Sequence, residues 1–95
     1  MDTDKILEKA LDYLDNEYHE FRAFISRQSY APSIPSRDEE RALIDRATKS
    51  TLDRGMGVVM FVQSLGVKYE DVNKPYEELK EIVAKMAEVG KRGIE

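Results

Sequence analysis

Among the side chains able to do chemistry, His19 comes first: it is the single histidine of the chain, and it stands in an acidic stretch. Asp12, Asp15 and Asn16 fall within two helical turns of it, an oxygen-rich set with one imidazole that would suit a weak metal site. The competing reading is a solvated histidine on a charged helix face, and it is the simpler one. A di-iron carboxylate bundle needs two Glu-x-x-His pairs, which one histidine cannot supply. Ser-His-Asp catalysis would draw on the same imidazole and lacks a nucleophile turn. Cysteine is absent, which removes thiol nucleophiles, disulfides and thiolate ligands. Gly55-Met56-Gly57 lacks the third glycine and the Lys-Ser/Thr of a phosphate loop. Adjacent acids such as Glu39-Glu40 and Glu77-Glu78 read as helix surface. The sequence therefore assigns no catalytic residue, no metal and no cofactor, and the expectation is a protein that is not an enzyme.

Composition narrows the partners. The chain has 95 residues, enough for one modest core, with 36% charged and 41% apolar residues. A net charge of −4 argues against generic nucleic-acid binding, which needs an excess of cations to displace phosphate counterions. The longest apolar run, Val58 to Val62, is five residues, against the roughly 20 of a membrane-spanning helix. Met1-Asp2-Thr3-Asp4 has no apolar signal core, so a cytoplasmic protein without a membrane contact is expected.

These residues must be positioned by helices. Leu7, Leu11, Leu14, Tyr18, Phe21 and Ile25 recur at 4-3-4-3-4, the stripe of one helix face, and Pro32 is the first breaker. This predicts a helix over about 4–28. Ser36 with Glu39 forms a capping box after Pro32 and Pro35, so a second helix begins at Arg37. It continues through Leu43, Ile44, Ala47, Thr51, Leu52, Val58, Phe61 and Val62 to Leu65, with Gly66 as its stop. Residues 55–62 are also compatible with a buried strand, but no second strand exists to pair with it. Ala47, Thr51 and Gly55 form a row of small residues that would let another helix approach closely. A third helix, about 74–89, is capped by Asn73 and tolerates Pro75 in its first turn; Leu79, Ile82, Val83, Met86 and Val89 are expected to face inward. The fold class is all-α: one domain, a three-helix bundle on a long antiparallel hairpin.

Three local signals bear on binding. Leu65-Gly66-Val67 followed by Val72, with Val62 before it, resembles the turn of a helix-turn-helix DNA-binding motif over about residues 60–74. The segment that would read DNA carries Glu70 and Asp71 and soon meets Pro75. Pro32-Ser33-Ile34-Pro35-Ser36-Arg37 fits a polyproline ligand pattern and equally a stiff linker. From Phe21 to Arg37 there is no acidic residue, three arginines (Arg22, Arg27, Arg37) and a group of aromatics, on an otherwise acidic chain.

That basic, aromatic end is the candidate site. A third helix over 74–89 is roughly 25 Å long, too short to run back over the whole hairpin. Phe21, Phe24, Ile25, Tyr30 and Leu43 would then be under-covered, and exposed contiguous apolar surface marks an interface. The leading expectation is a helical interaction or oligomerisation module that binds another protein or itself as a homodimer, with those residues and Arg22 in the contact. A second expectation is a small anionic ligand, such as a nucleotide or phosphate metabolite. It would be held by Arg27, Tyr30, Ser33, Ser36 and Arg37 at the start of the second helix. DNA binding through residues 62–74 is the third.

Overall fold

The structure, a computed structural model, describes residues 2–30 and 37–92, the side chains of 28–30 and 37 excepted. Among the described residues the chain forms three helices and no strand: α1 (Thr3–Tyr30), α2 (Arg37–Ser64) and α3 (Tyr69–Arg92). Each packs on the other two, in a rod of 50 × 16 × 16 Å. The strand alternative for residues 55–62 is excluded, since they lie inside α2.

Each end of a helix leaves backbone groups that need partners. At the start of α1, Asp2 Oδ1 accepts from the Asp4 N–H at 3.0 Å, and the Asp2 carbonyl accepts from the Ile6 N–H at 3.2 Å, so Asp2 is the N-cap. At the end of α2, the Val67 N–H donates to the Val62 carbonyl at 3.1 Å and the Gly66 N–H to the Gln63 carbonyl at 3.0 Å. This is a Schellman turn, and it needs Gly66 at φ 102°, where a side chain would be strained. Its apolar closure is present too, with Val62 and Val67 both buried.

The third helix differs from the expectation of 74–89. It begins at Tyr69, where the Asp71 N–H donates to the Lys68 carbonyl at 3.1 Å, and it runs to Arg92. Asn73 caps nothing: its Oδ1 is buried and accepts no hydrogen bond among the described residues. Pro75 lies inside the helix and forfeits one backbone bond, a loss offset by the burial of Val72, Tyr76 and Leu79 around it. Gly90 does not end α3 but lets its last turn close on the hairpin. A Cβ at Gly90 would lie 3.2 Å from Ile25 Cδ1 and 3.5 Å from Ile44 Cδ1. An ion pair of Lys91 with Asp45 ties the same turn to α2. With 24 residues, α3 is about 36 Å long and spans nearly the full hairpin.

The core follows from these three seams. Ala10, Leu14 and Phe21 from α1, Ile44, Val59 and Val62 from α2, and Val72, Tyr76, Leu79, Val83 and Ala87 from α3 are buried. The expected row of small residues acts as predicted at Gly55, where the Tyr76 ring lies directly against the α2 backbone. Ile82 and Val89, expected inside, are 42% and 63% exposed, and Phe61 of α2 is 63% exposed. In α2 the inward phase is fixed by Ile44, Thr51, Gly55, Val59 and Val62, which leaves Phe61 pointing away. In α3 it is fixed by Val72, Tyr76, Leu79, Val83 and Ala87.

Candidate interaction site

Of the cluster drawn from the sequence, one residue is fully covered and three are partly covered. Phe21 is 2% exposed and belongs to the core; Phe24, Ile25 and Leu43 are half-buried. The reason is the longer α3, whose Gly90 turn covers Ile25 and Ile44. Arg22 and Arg27 are exposed on α1. Tyr30 closes α1 and Arg37 opens α2, with side chains outside the described set, and Ser33, Ser36 and the polyproline-like segment lie outside the described residues altogether. Of the five proposed anion ligands, only Arg27 is placed.

Between α1 and α2 a shallow groove of about 470 Å³ adjoins Phe21, Phe24 and Arg27 on one wall and Ala47, Ser50 and Arg54 on the other. Small side chains at Ala23, Ala47 and Ser50 leave the space. Its electrostatics do not favour an anion. Arg54 Nε and Nη2 each donate to a Glu17 carboxylate oxygen at 2.9 Å, and Nη2 reaches Thr51 Oγ1 at 3.4 Å. The hydrogen bond to Glu17 holds the Arg54 guanidinium above its ordinary pKa, against the opposing effect of burial. Arg54 is thereby committed to the buried Glu17, and Glu20 adds a carboxylate to the groove wall. One further cation, Arg27, faces that acidic background.

The remaining sequence signals fall on described residues. His19 Nε2 lies 3.4 Å from Asp15 Oδ2 one turn away, with both side chains more than half exposed. Among the described residues no group of three or more His, Cys, Asp or Glu side chains is arranged to hold a metal ion. In the helix-turn-helix-like segment, Val62, Val67 and Val72 are 5%, 6% and 0% exposed and serve packing. That motif also needs its helices crossed at about 90–120°, whereas α2 and α3 lie side by side along a rod 16 Å across. No described helix is long and apolar enough to cross a membrane.

Large apolar side chains stand exposed on all three helices, and the most exposed adjacent pair lies on the outer face of α2. Met60 and Phe61 are each 63% exposed, and Met56 is 36% exposed one turn earlier. Between them Gly57 is exposed, and a Cβ built on it would meet nothing within 4 Å. Helical spacing explains the geometry: Gly57, Met60 and Phe61 fall on the side opposite Gly55, Val59 and Val62. Asp53 and Ser64 extend the same outward face in either direction, both exposed.

Comparison with known proteins gave no matching family model, no matching curated protein and no matching solved structure. The α2 face was missed in the sequence because Val58 to Val62 is apolar at every position and carries no phase of its own. A usable signal was present in Gly55 and Gly57. Two helical glycines two residues apart point to opposite sides, so at most one of them can serve the core.

Proposed function

We propose that this chain is a non-enzymatic helical interaction module that presents the outer face of α2 to a protein partner. The observation that carries the reading is the exposed group Met56, Met60 and Phe61 around the bare backbone of Gly57. Large apolar side chains in a contiguous exposed patch mark contact surfaces, and methionine adapts its shape to a partner. The non-enzymatic part rests on composition, with one histidine and no cysteine. Lack of cysteine also fits a reducing compartment and hence a cytoplasmic location. The groove between α1 and α2 suits an anionic small ligand less well, because Glu17 and Glu20 accompany its arginines.

The test is affinity capture from the source cells with the wild type and a Met60→Ser/Phe61→Ser double variant, helicity being checked in parallel by circular dichroism. A partner retained by the wild type and lost by the folded variant is the expected result. Identical capture profiles would move the contact off this face.

A further inference from the structure

On the same reading of the α2 face, we infer that its partner is a second copy of this chain, docked antiparallel with Phe61 of each copy seated over Gly57 of the other.

A mid-helix glycine costs about 1 kcal/mol against alanine, and here none of the described residues requires it, since a Cβ at Gly57 would meet none of them within 4 Å. The same face carries Phe61 one turn further on, 63% exposed. A hole and a knob one turn apart on one helix are self-complementary under a two-fold axis, the commonest symmetry of homo-oligomers. With the axis level with Val59, each Phe61 ring falls on the partner helix at the height of Gly57. The bare backbone there admits the ring without displacing a side chain, and Met56 and Met60 close around it.

The hole and the knob themselves select the orientation: a parallel pairing would set Phe61 against Phe61 and leave both Gly57 backbones uncovered. The apolar patch exposes on the order of 300 Å², below the roughly 600 Å² per partner that separates standard interfaces from transient ones. The dimer is accordingly weak.

Sedimentation equilibrium from about 10 µM to about 1 mM tests the state, a range in which a weak dimer goes from dissociated to formed. The wild type is expected to shift from monomer to dimer across that range, Gly57→Gln to weaken association at least about tenfold by filling the hole, and Phe61→Ser to abolish it. Register is read independently because the chain has no cysteine of its own. Asp53→Cys and Ser64→Cys, oxidised together, should give mainly the mixed disulfide, since like positions lie roughly 15–18 Å apart about this axis. A wild type still monomeric at 1 mM, a dimer indifferent to both variants, or predominant like-with-like disulfides would each overturn the inference. A monomeric wild type whose cellular capture still depends on Met60 and Phe61 would overturn the second copy alone and leave the interaction face standing.

Discussion

The ring of Tyr76 occupies the space a side chain at Gly55 would need: a Cβ there would sit 2.9 Å from Cε1 and 3.0 Å from Cδ1. Both atoms belong to a rigid ring that is 5% exposed, and the hydroxyl beyond them donates to the Leu52 carbonyl at 3.2 Å. Gly55 therefore sets how closely α2 and α3 approach.

One substitution at two neighbouring positions should consequently have opposite signs. Gly57→Ala meets no neighbour and removes only the conformational cost of glycine, so it should stabilise the monomer by about 0.5–1 kcal/mol. Gly55→Ala has the same helical gain but must push a buried ring aside, which costs roughly 1–3 kcal/mol, so a net loss of about 1 kcal/mol or more is expected. Urea denaturation at low micromolar protein measures both. Equal effects would mean that Tyr76 yields freely.

Tyr76 also predicts a pH dependence. Burial, followed by the nearby charges of Glu77 and Asp53, raises its phenol above the ordinary value of 10.0. In the unfolded chain the phenol ionises near pH 10, while the folded chain keeps its proton to higher pH. Above pH 10 the unfolded state thus binds fewer protons, and stability falls as pH rises towards the folded pKa. Tyr76→Phe lacks this component. At neutral pH it should cost about 1 kcal/mol for the lost hydrogen bond, and the deficit should shrink above about pH 10. A deficit constant across pH would show that folding does not protect this proton.

The Glu17–Arg54 pair predicts a different asymmetry. Glu17 is 4% exposed and held by two hydrogen bonds from a guanidinium whose side chain is 48% exposed. Arg54→Met leaves a buried carboxylate without its cation. That costs about 2 kcal/mol, below the 3–5 kcal/mol of fully buried pairs, because solvent already screens half of Arg54. The double variant Glu17→Leu/Arg54→Met removes both charges and should return to within about 1 kcal/mol of the wild type. A double-mutant cycle on denaturation midpoints checks this; simple additivity would mean the pair is not coupled.

Much of the architecture was legible because long amphipathic helices announce themselves. The 4-3-4-3-4 stripe of α1 and the Gly66 stop of α2 lead directly to a helical hairpin. Three things were not legible, each for a physical reason. Asn73 and Pro75 together imitate a helix start, but local capping preference is worth about 1 kcal/mol and burial of Val72, Tyr76 and Leu79 outweighs it. Glu17 sits on the core spacing between Leu14 and Phe21, yet its partner lies 37 residues away, so no local pattern marks it as buried. The cover over the far end of the hairpin was not legible because the length of α3 was the premise, and a helix extended from 74–89 to 69–92 reaches that end.

Two phenylalanines separate the covered end from the open face. Phe21 is 2% exposed and in ring contact with Phe24, their centroids 6.2 Å apart, whereas Phe61 is 63% exposed. Phe21→Ala removes a buried ring and leaves a cavity, a loss of about 3–5 kcal/mol. A domain of this size holds roughly 5–10 kcal/mol in total, so that variant should be marginally folded and melt far below the wild type. Phe61→Ala removes no core contact and should stay within about 0.5 kcal/mol of the wild-type monomer. Urea denaturation at low micromolar protein keeps self-association out of the comparison. Comparable losses at the two sites would mean that the outer face of α2 is covered within the single chain, and an unharmed Phe21→Ala would mean that the end near the α1–α2 connection is not packed by α3.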